Sequence, residues 1–208
     1  MKWSAIVISF FVAGIFIGKS GIISADILPP HISTYLLYIL IIQVGLGIGS
    51  SDSISRMYKE IHPSAFLIPL GTVIGSIAFA ALASLVFKWI SWSDCVAVGS
   101  GFGYYSLSSV LITEIKAPVI GVQMAAKLGA LSLLVNICRE LTSLIFAPLF
   151  RRYFGRYGII ASAGITSVDV LLPSIIRYSG KEMIPTAIIN SVILELLVPF
   201  LVTFFCSI

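Results

Sequence analysis

The stretch "LLVNICRELTSLIFAPLFRRYFG", residues 133–155, sets an arginine beside a glutamate, Arg139 and Glu140, within a long apolar run. In a bilayer, a charge at the centre of an isolated helix costs roughly 2.5–3.5 kcal/mol on insertion scales. It therefore faces a cavity or a partner and commonly marks function. The solvent around this run decides how the rest of the chain is read, and composition identifies that solvent. Hydrophobic residues make up 58% of the chain and charged residues 11%, with a mean hydropathy of +1.07. Soluble domains carry about a quarter charged residues. Apolar runs of membrane-spanning length recur along the chain, which reads as a polytopic integral membrane protein. The formal net charge of +4 sits in basic loops. No basic cluster carries interleaved aromatics outside the apolar runs, so nucleic acid is not an expected partner.

Several chemistries are excluded on the same grounds. The opening "MKWSAIVISFFVAGIFIGKS" begins like a secretory signal but shows no small-residue cleavage pattern, and it reads as a span. Cys95, Cys138 and Cys206 lie in or beside apolar segments without CxxC spacing and read as free thiols. His31 and His62 stand in polar connections with no second histidine nearby, so neither a metal nor a cofactor is expected. The chain has no Walker A loop, HExxH or GxSxG elbow, so an ATP-driven pump or a membrane hydrolase has no support. A two-aspartate intramembrane protease fits poorly, because the second acid is Glu140 in the middle of a smooth helix. The chain is not expected to be an enzyme.

Residues 3–18, 34–49, 64–90 and 183–206 read as ordinary spans, and a fifth, from about 123 to 150, holds Arg139 and Glu140. Two further segments differ. "CVAVGSGFGYYSLSSVLI" (95–112) and "GIIASAGITSVDVLLPSII" (158–176) are rich in Gly, Ser and Thr, and the second carries Asp169 and Pro173. Such sequences interrupt a helix and free backbone groups, which are tolerated at membrane depth only within protein or beside a water-filled cavity. Interrupted helices of this kind scaffold transporter sites. The basic loops "SSDSISRMYKEIHP" and "RRYFGR" fall on one side only if both segments re-enter rather than cross. The expected fold is thus an all-α polytopic helical bundle with an inverted repeat and two re-entrant or discontinuous helices. Residues 1–63 hold two spans and a cytoplasmic loop. Residues 64–116 form a first repeat with a re-entrant segment at 95–113, residues 117–182 a second with one at 158–177, and residues 183–208 the last span. The N-terminus is expected in the cytoplasm and the C-terminus in the periplasm or outside.

Arg139, Glu140, Asp169 and Glu195 are the ionisable groups expected within the membrane. Arg139 and Glu140 point about 100° apart and need different partners. Asn136 lies one turn before Glu140 and is placed to hydrogen-bond it. Arg139 either lines the site or forms a buried ion pair that fixes packing, and Glu195 is either its packing partner or a site residue. Two carboxylates in a wet cavity suit an ammonium group, an exchangeable proton, or both. Around them the candidate binding residues are Ser100, Gly101, Gly103, Tyr105, Ser106, Thr166 and Ser167, which supply hydroxyls and close backbone approach. Tyr104 and Tyr105 also read as interfacial anchors.

The segments "SGFGYYSLSSVLITE", "PVIG", "RELTSLIFAPLFRR", "ITSVDVLLPSI" and "MIPTAIINSVILELLVPFLVTFF" resemble, in order, the bacterial lysine exporter family of the LysO type. The resemblance runs from about residue 99 to the C-terminus, whereas the first ninety residues match in hydropathy alone. It implies export of L-lysine, and of toxic lysine analogues, across the bacterial inner membrane. It also implies that the family's essential membrane carboxylates correspond to Glu140 and Asp169. Protons are the expected coupling ion and the lipid bilayer the surroundings. Single-chain members carry an additional block of about three spans, which leads to the expectation of a small partner subunit like that N-terminal domain, or of a homodimer. A monovalent cation/proton antiporter and a non-transporting assembly subunit are the alternatives.

Overall fold

The computed structural model describes residues 66–87 and 89–208, with isolated positions 9, 13, 14, 16, 17, 19, 20, 35, 39, 42 and 46 ahead of them. The expected spans at 3–18 and 34–49 and the loop that follows lie otherwise outside the described residues. Helix is the regular structure throughout the described residues. In chain order these are α1 (Leu67–Ala83), α2 (Trp92–Gly99), α3 (Tyr105–Ile120), α4 (Val122–Ile145), α5 (Ala147–Phe154), α6 (Gly158–Ala163), α7 (Leu172–Ser179) and α8 (Ile184–Ser207). A 3-10 turn at Gly164–Val168 continues α6, and another at Lys181–Met183 leads into α8.

Two elements, Val122–Ile145 and Lys181–Ser207, are long and apolar enough to cross a membrane. At 24 residues, α4 rises about 36 Å, more than a hydrocarbon core of about 30 Å. The described residues are consistent with a helical membrane protein: Leu70, Ile74 and Phe79 on α1, and Phe200 and Phe204 on α8, are exposed. That is the pattern of helices facing lipid on one side and protein on the other.

The fifth expected span stops at Ile145 rather than continuing to Phe150, and α5 begins a new direction. Pro148 stands in the first turn of α5. It has no N–H to give the Leu144 carbonyl, so α4 cannot run on through it.

Both Gly/Ser-rich segments are interrupted helices that reverse the chain. At the first, Asp94 near the start of α2 meets Lys116 near the end of α3, Nζ to Oδ1 at 2.7 Å. On one continuous helix these residues would stand about 33 Å apart, so α2 and α3 form a hairpin closed at its base by an ion pair. At the second, Arg151 on α5 donates from Nε to the Tyr178 carbonyl at the end of α7, 3.0 Å. The segment of α6, the 3-10 turn and α7 therefore also returns to where it began. The first hairpin starts from the end of α4 near Gly121, and the second from the end near Phe146. Their tips meet beside the middle of α4, where the Ile165 N–H donates to the Phe102 carbonyl at 3.0 Å.

Two apolar clusters hold the hairpins. Val96, Val98, Phe102, Leu107 and Leu111 of the first pack on Leu194, Val198 and Val202 of α8. Ile159, Ile160, Leu171 and Ile175 of the second pack around Ala147, Met183 and Ala187. Between helices in lipid such clusters gain from close van der Waals packing and not from leaving water. These clusters seat the hairpins, while polar side chains settle the breaks.

Candidate functional site

Interrupting a helix inside a packed bundle leaves N–H and C=O groups without their usual partners, and a buried orphan of this kind costs about 1–3 kcal/mol. The neighbouring spans meet that demand with specific side chains. At the first break, between α2 and α3, Phe102 is fully buried with φ at 45°. The Gly103 N–H finds its acceptor on α4, in Asn136 Oδ1 at 2.7 Å. Asn136 Nδ2 donates to the Ser132 carbonyl at 2.9 Å, and Ser132 Oγ donates to Ser108 Oγ at 3.1 Å. Gly101 admits this packing because a Cβ there would collide with Asn136 Nδ2 and lie 2.8 Å from Ser108 Oγ. Ser132, Asn136 and Glu140 repeat every four residues and are all buried, so α4 turns one polar stripe inward. The Asn136 amide thus serves the break through both its oxygen and its nitrogen.

At the second break, Gly164 ends α6 with φ at 66°, and its position abuts the Phe102 carbonyl so closely that no side chain fits. The carbonyls released there are taken one by one. Arg139 Nε donates to Ser162 O at 3.0 Å and Nη2 to Ala161 O at 3.2 Å, while Nη1 donates to Ser76 Oγ on α1 at 3.0 Å. Asn190 Nδ2 donates to Gly164 O at 3.0 Å, and Ser191 Oγ to Ile165 O at 2.6 Å. Thr166 Oγ1 reaches Ala163 O at 3.0 Å, and Ser167 Oγ reaches Ala187 O on α8 at 3.0 Å. Arg139 thus neutralises itself on the carbonyl-bearing, electronegative end of α6 and not on a carboxylate.

Where the two tips meet α4 and α8, a cavity of about 190 Å³ opens. Gly103, Tyr104, Tyr105 and Ser106 line it from the first hairpin, and Ile165, Thr166, Val168 and Asp169 from the second. Glu140 enters from α4, with Ser191 and Glu195 from α8. Glu140 is 1% exposed. Asp169, just past the 3-10 turn, is exposed, and its Oδ1 accepts from the Val170 N–H at 2.6 Å. Tyr105 has Glu140 and Asp169 as its charged neighbours, and Glu195 has Asp169. The first turn of α3 has no side-chain cap and opens on the same space. Its positive end suits an anionic group, while the carboxylates suit cationic ones.

Of the residues singled out from sequence, Glu140, Asp169, Gly103, Tyr105, Ser106 and Thr166 come together on this cavity. Asn136 and Ser167 stand behind it as supports. Ser100 is buried and bonds back to the Val96 carbonyl, and Gly101 packs on Asn136. Arg139 faces a different space, an open cavity of about 680 Å³ bounded by α1, α5 and α6. Sequence reasoning left Ser191 out and Glu195 unassigned, although their spacing of four residues in "NSVILE" places both on one face of α8. Among the described residues no group of three His, Cys, Asp or Glu side chains is arranged to hold a metal ion.

The family described as "Lysine exporter LysO" matches residues 8–206 of this chain. The Escherichia coli (strain K12) protein named lysine exporter LysO is 30% identical over 197 residues. That match covers 94% of this chain and 62% of the relative, so the chain spans under two thirds of that protein's length. A Haemophilus influenzae protein, provisionally named a lysine exporter, is 31% identical over 182 residues, 86% of each chain. No solved structure matches.

Proposed function

The chain belongs to the lysine exporter LysO family, and on that premise we propose that it is a secondary transporter of the bacterial inner membrane that exports L-lysine and its toxic analogues. The observation that carries this is the convergence of Glu140 and Asp169, from separate elements, on one cavity walled by interrupted helices. Lysine presents two ammonium groups and one carboxylate. In this proposal Glu140 and Asp169 take the cationic groups, while the uncapped start of α3 faces the carboxylate. Hydroxyls of Tyr105, Ser106 and Thr166 complete a polar lining.

The hairpins re-enter from opposite sides in this proposal, so that the cavity at their tips opens alternately to each. Support comes from the two closed bases, at Asp94–Lys116 and Arg151–Tyr178, lying towards opposite ends of α4. We assign the energy source to inward proton flow. Carboxylates that hold an ammonium group in one phase of the cycle hold a proton in the other, which makes the exchange obligatory. Proteoliposomes loaded with labelled lysine test the proposal directly. A proton gradient should drive lysine across the membrane, and a sodium gradient of equal size should not. Sodium–proton exchange without lysine movement would instead identify a cation antiporter, and no flux of either would leave only an anchoring role.

A further inference from the structure

Glu195 is the lone charged residue of α8, a 24-residue span with exposed Phe200 and Phe204 on its outer face. A carboxylate facing lipid at a span centre costs roughly 2.5–3.5 kcal/mol, and Glu195, part-buried, instead lines the cavity shared by Glu140 and Asp169. The cation available from sequence, Arg139, is committed to Ala161, Ser162 and Ser76. Lys116 is paired with Asp94 at the far base of the first hairpin. Among the described residues Glu195 has neither a hydrogen bond nor an ion pair. Its helix-mate Ser191 is engaged with the Ile165 carbonyl, and its charged neighbour is Asp169, a group of the same sign. Two carboxylates lining one cavity repel until a cation comes between them or one takes up a proton.

Resting on the lysine-export proposal above, we infer that Asp169 and Glu195 together cradle the substrate's side-chain ammonium, and that Glu195 is the residue that selects a diamino acid over its monoamino isostere. The rest of the cavity sorts accordingly. Tyr105 sits with Glu140 as a charged neighbour beside the uncapped first turn of α3. That end offers a carboxylate and a helix N-terminus together, the complement of an α-ammonium and an α-carboxylate. Tyr104, Asp169 and Glu195 line the same cavity, and in this inference they form its second end. Norleucine, which matches lysine's side-chain carbons but lacks the second ammonium, fills the first end and leaves Asp169 and Glu195 facing each other.

The test compares lysine and homolysine as substrates, and norleucine as a competing inhibitor, of the full chain in proteoliposomes, for the unmodified protein, Glu195→Gln, Glu195→Asp and Glu140→Gln. Glu195→Gln should raise the lysine KM at least tenfold while leaving norleucine inhibition unchanged, so that the preference collapses. Glu195→Asp keeps the charge but retracts it by one methylene, and should shift the preference from lysine towards homolysine. If Glu195→Gln fails to fold, the chain-length preference of Glu195→Asp decides alone. An unmodified lysine KM and preference in the variants, or a uniform fall in kcat with the preference intact, overturns this role for Glu195. Lysine export lost in Glu140→Gln but unaffected in both Glu195 variants removes this inference and leaves the export proposal standing. No lysine movement by the unmodified protein removes both.

Discussion

Replacing Arg139 with methionine keeps the apolar stem of the side chain and deletes the guanidinium. Three hydrogen bonds go with it, to the Ser162 and Ala161 carbonyls and the Ser76 hydroxyl. Hydrogen bonds between membrane helices are worth roughly 0.6–1.7 kcal/mol each, so the loss is about 2–5 kcal/mol in all. The desolvation cost of the buried cation disappears at the same time, which favours the lower half of that range. For a chain of this size each kcal/mol moves the midpoint about 2–4 °C, and Arg139→Met should lower the Tm in detergent by roughly 4–14 °C on that basis. The damage is local to the tip of the second hairpin, so lysine transport at low temperature should fall in vmax more than it rises in KM. Lysine should protect the variant against unfolding as it protects the parent. Thermal unfolding followed by tryptophan fluorescence, with and without saturating lysine, measures both. An unchanged Tm with complete loss of lysine protection would refute the clamp and make Arg139 a substrate ligand.

Gly101→Ala should fold poorly, because its new Cβ collides with Asn136 and Ser108. The cost is about 1–3 kcal/mol, as for other overpacked sites, and urea or thermal titration in micelles reads it. Asn136→Leu leaves the buried Gly103 N–H without its acceptor and should cost about 1–3 kcal/mol, whereas Asn136→Asp keeps an acceptor oxygen and should cost less. In a variant without native cysteines, single cysteines at Val86 and at Tyr157, both exposed, should label from opposite faces of the membrane, the first from the periplasm. Labelling of both from one face rules out opposed hairpins.

The two long apolar helices, α4 and α8, and the breaks are legible in sequence because each rests on composition. Long apolar runs declare a bilayer, and Gly, Ser and Pro clustered at 99–106 and 162–173 declare where a helix cannot continue. That Glu140 and Asp169 line a cavity is legible for the same reason, since a charge in such surroundings turns away from lipid. Partnerships are not local and were hidden. Hydropathy cannot distinguish a buried arginine that meets a carboxylate from one that meets helix-end carbonyls, and Arg139 does the latter. Asp94 and Lys116 carry no signal in sequence because each is tolerable near a span end. Their pairing appears only once α2 and α3 are folded back on each other. Pro148 carried a usable signal for the end of α4, and the Ser191–Glu195 spacing carried one for the cavity face of α8.

The central claim is that Glu140 and Asp169 act together as the cation-bearing groups of one transport cavity. Lysine flux driven by a proton gradient in proteoliposomes, measured for Glu140→Gln and Asp169→Asn beside the parent, tests it most directly. Each amide keeps the size and hydrogen-bonding capacity of the acid it replaces. Both variants should therefore insert normally and unfold near the parent's temperature, yet move no lysine. Export at the parent rate by either one, from protein of normal abundance, would contradict the assignment of that carboxylate and the shared cavity with it.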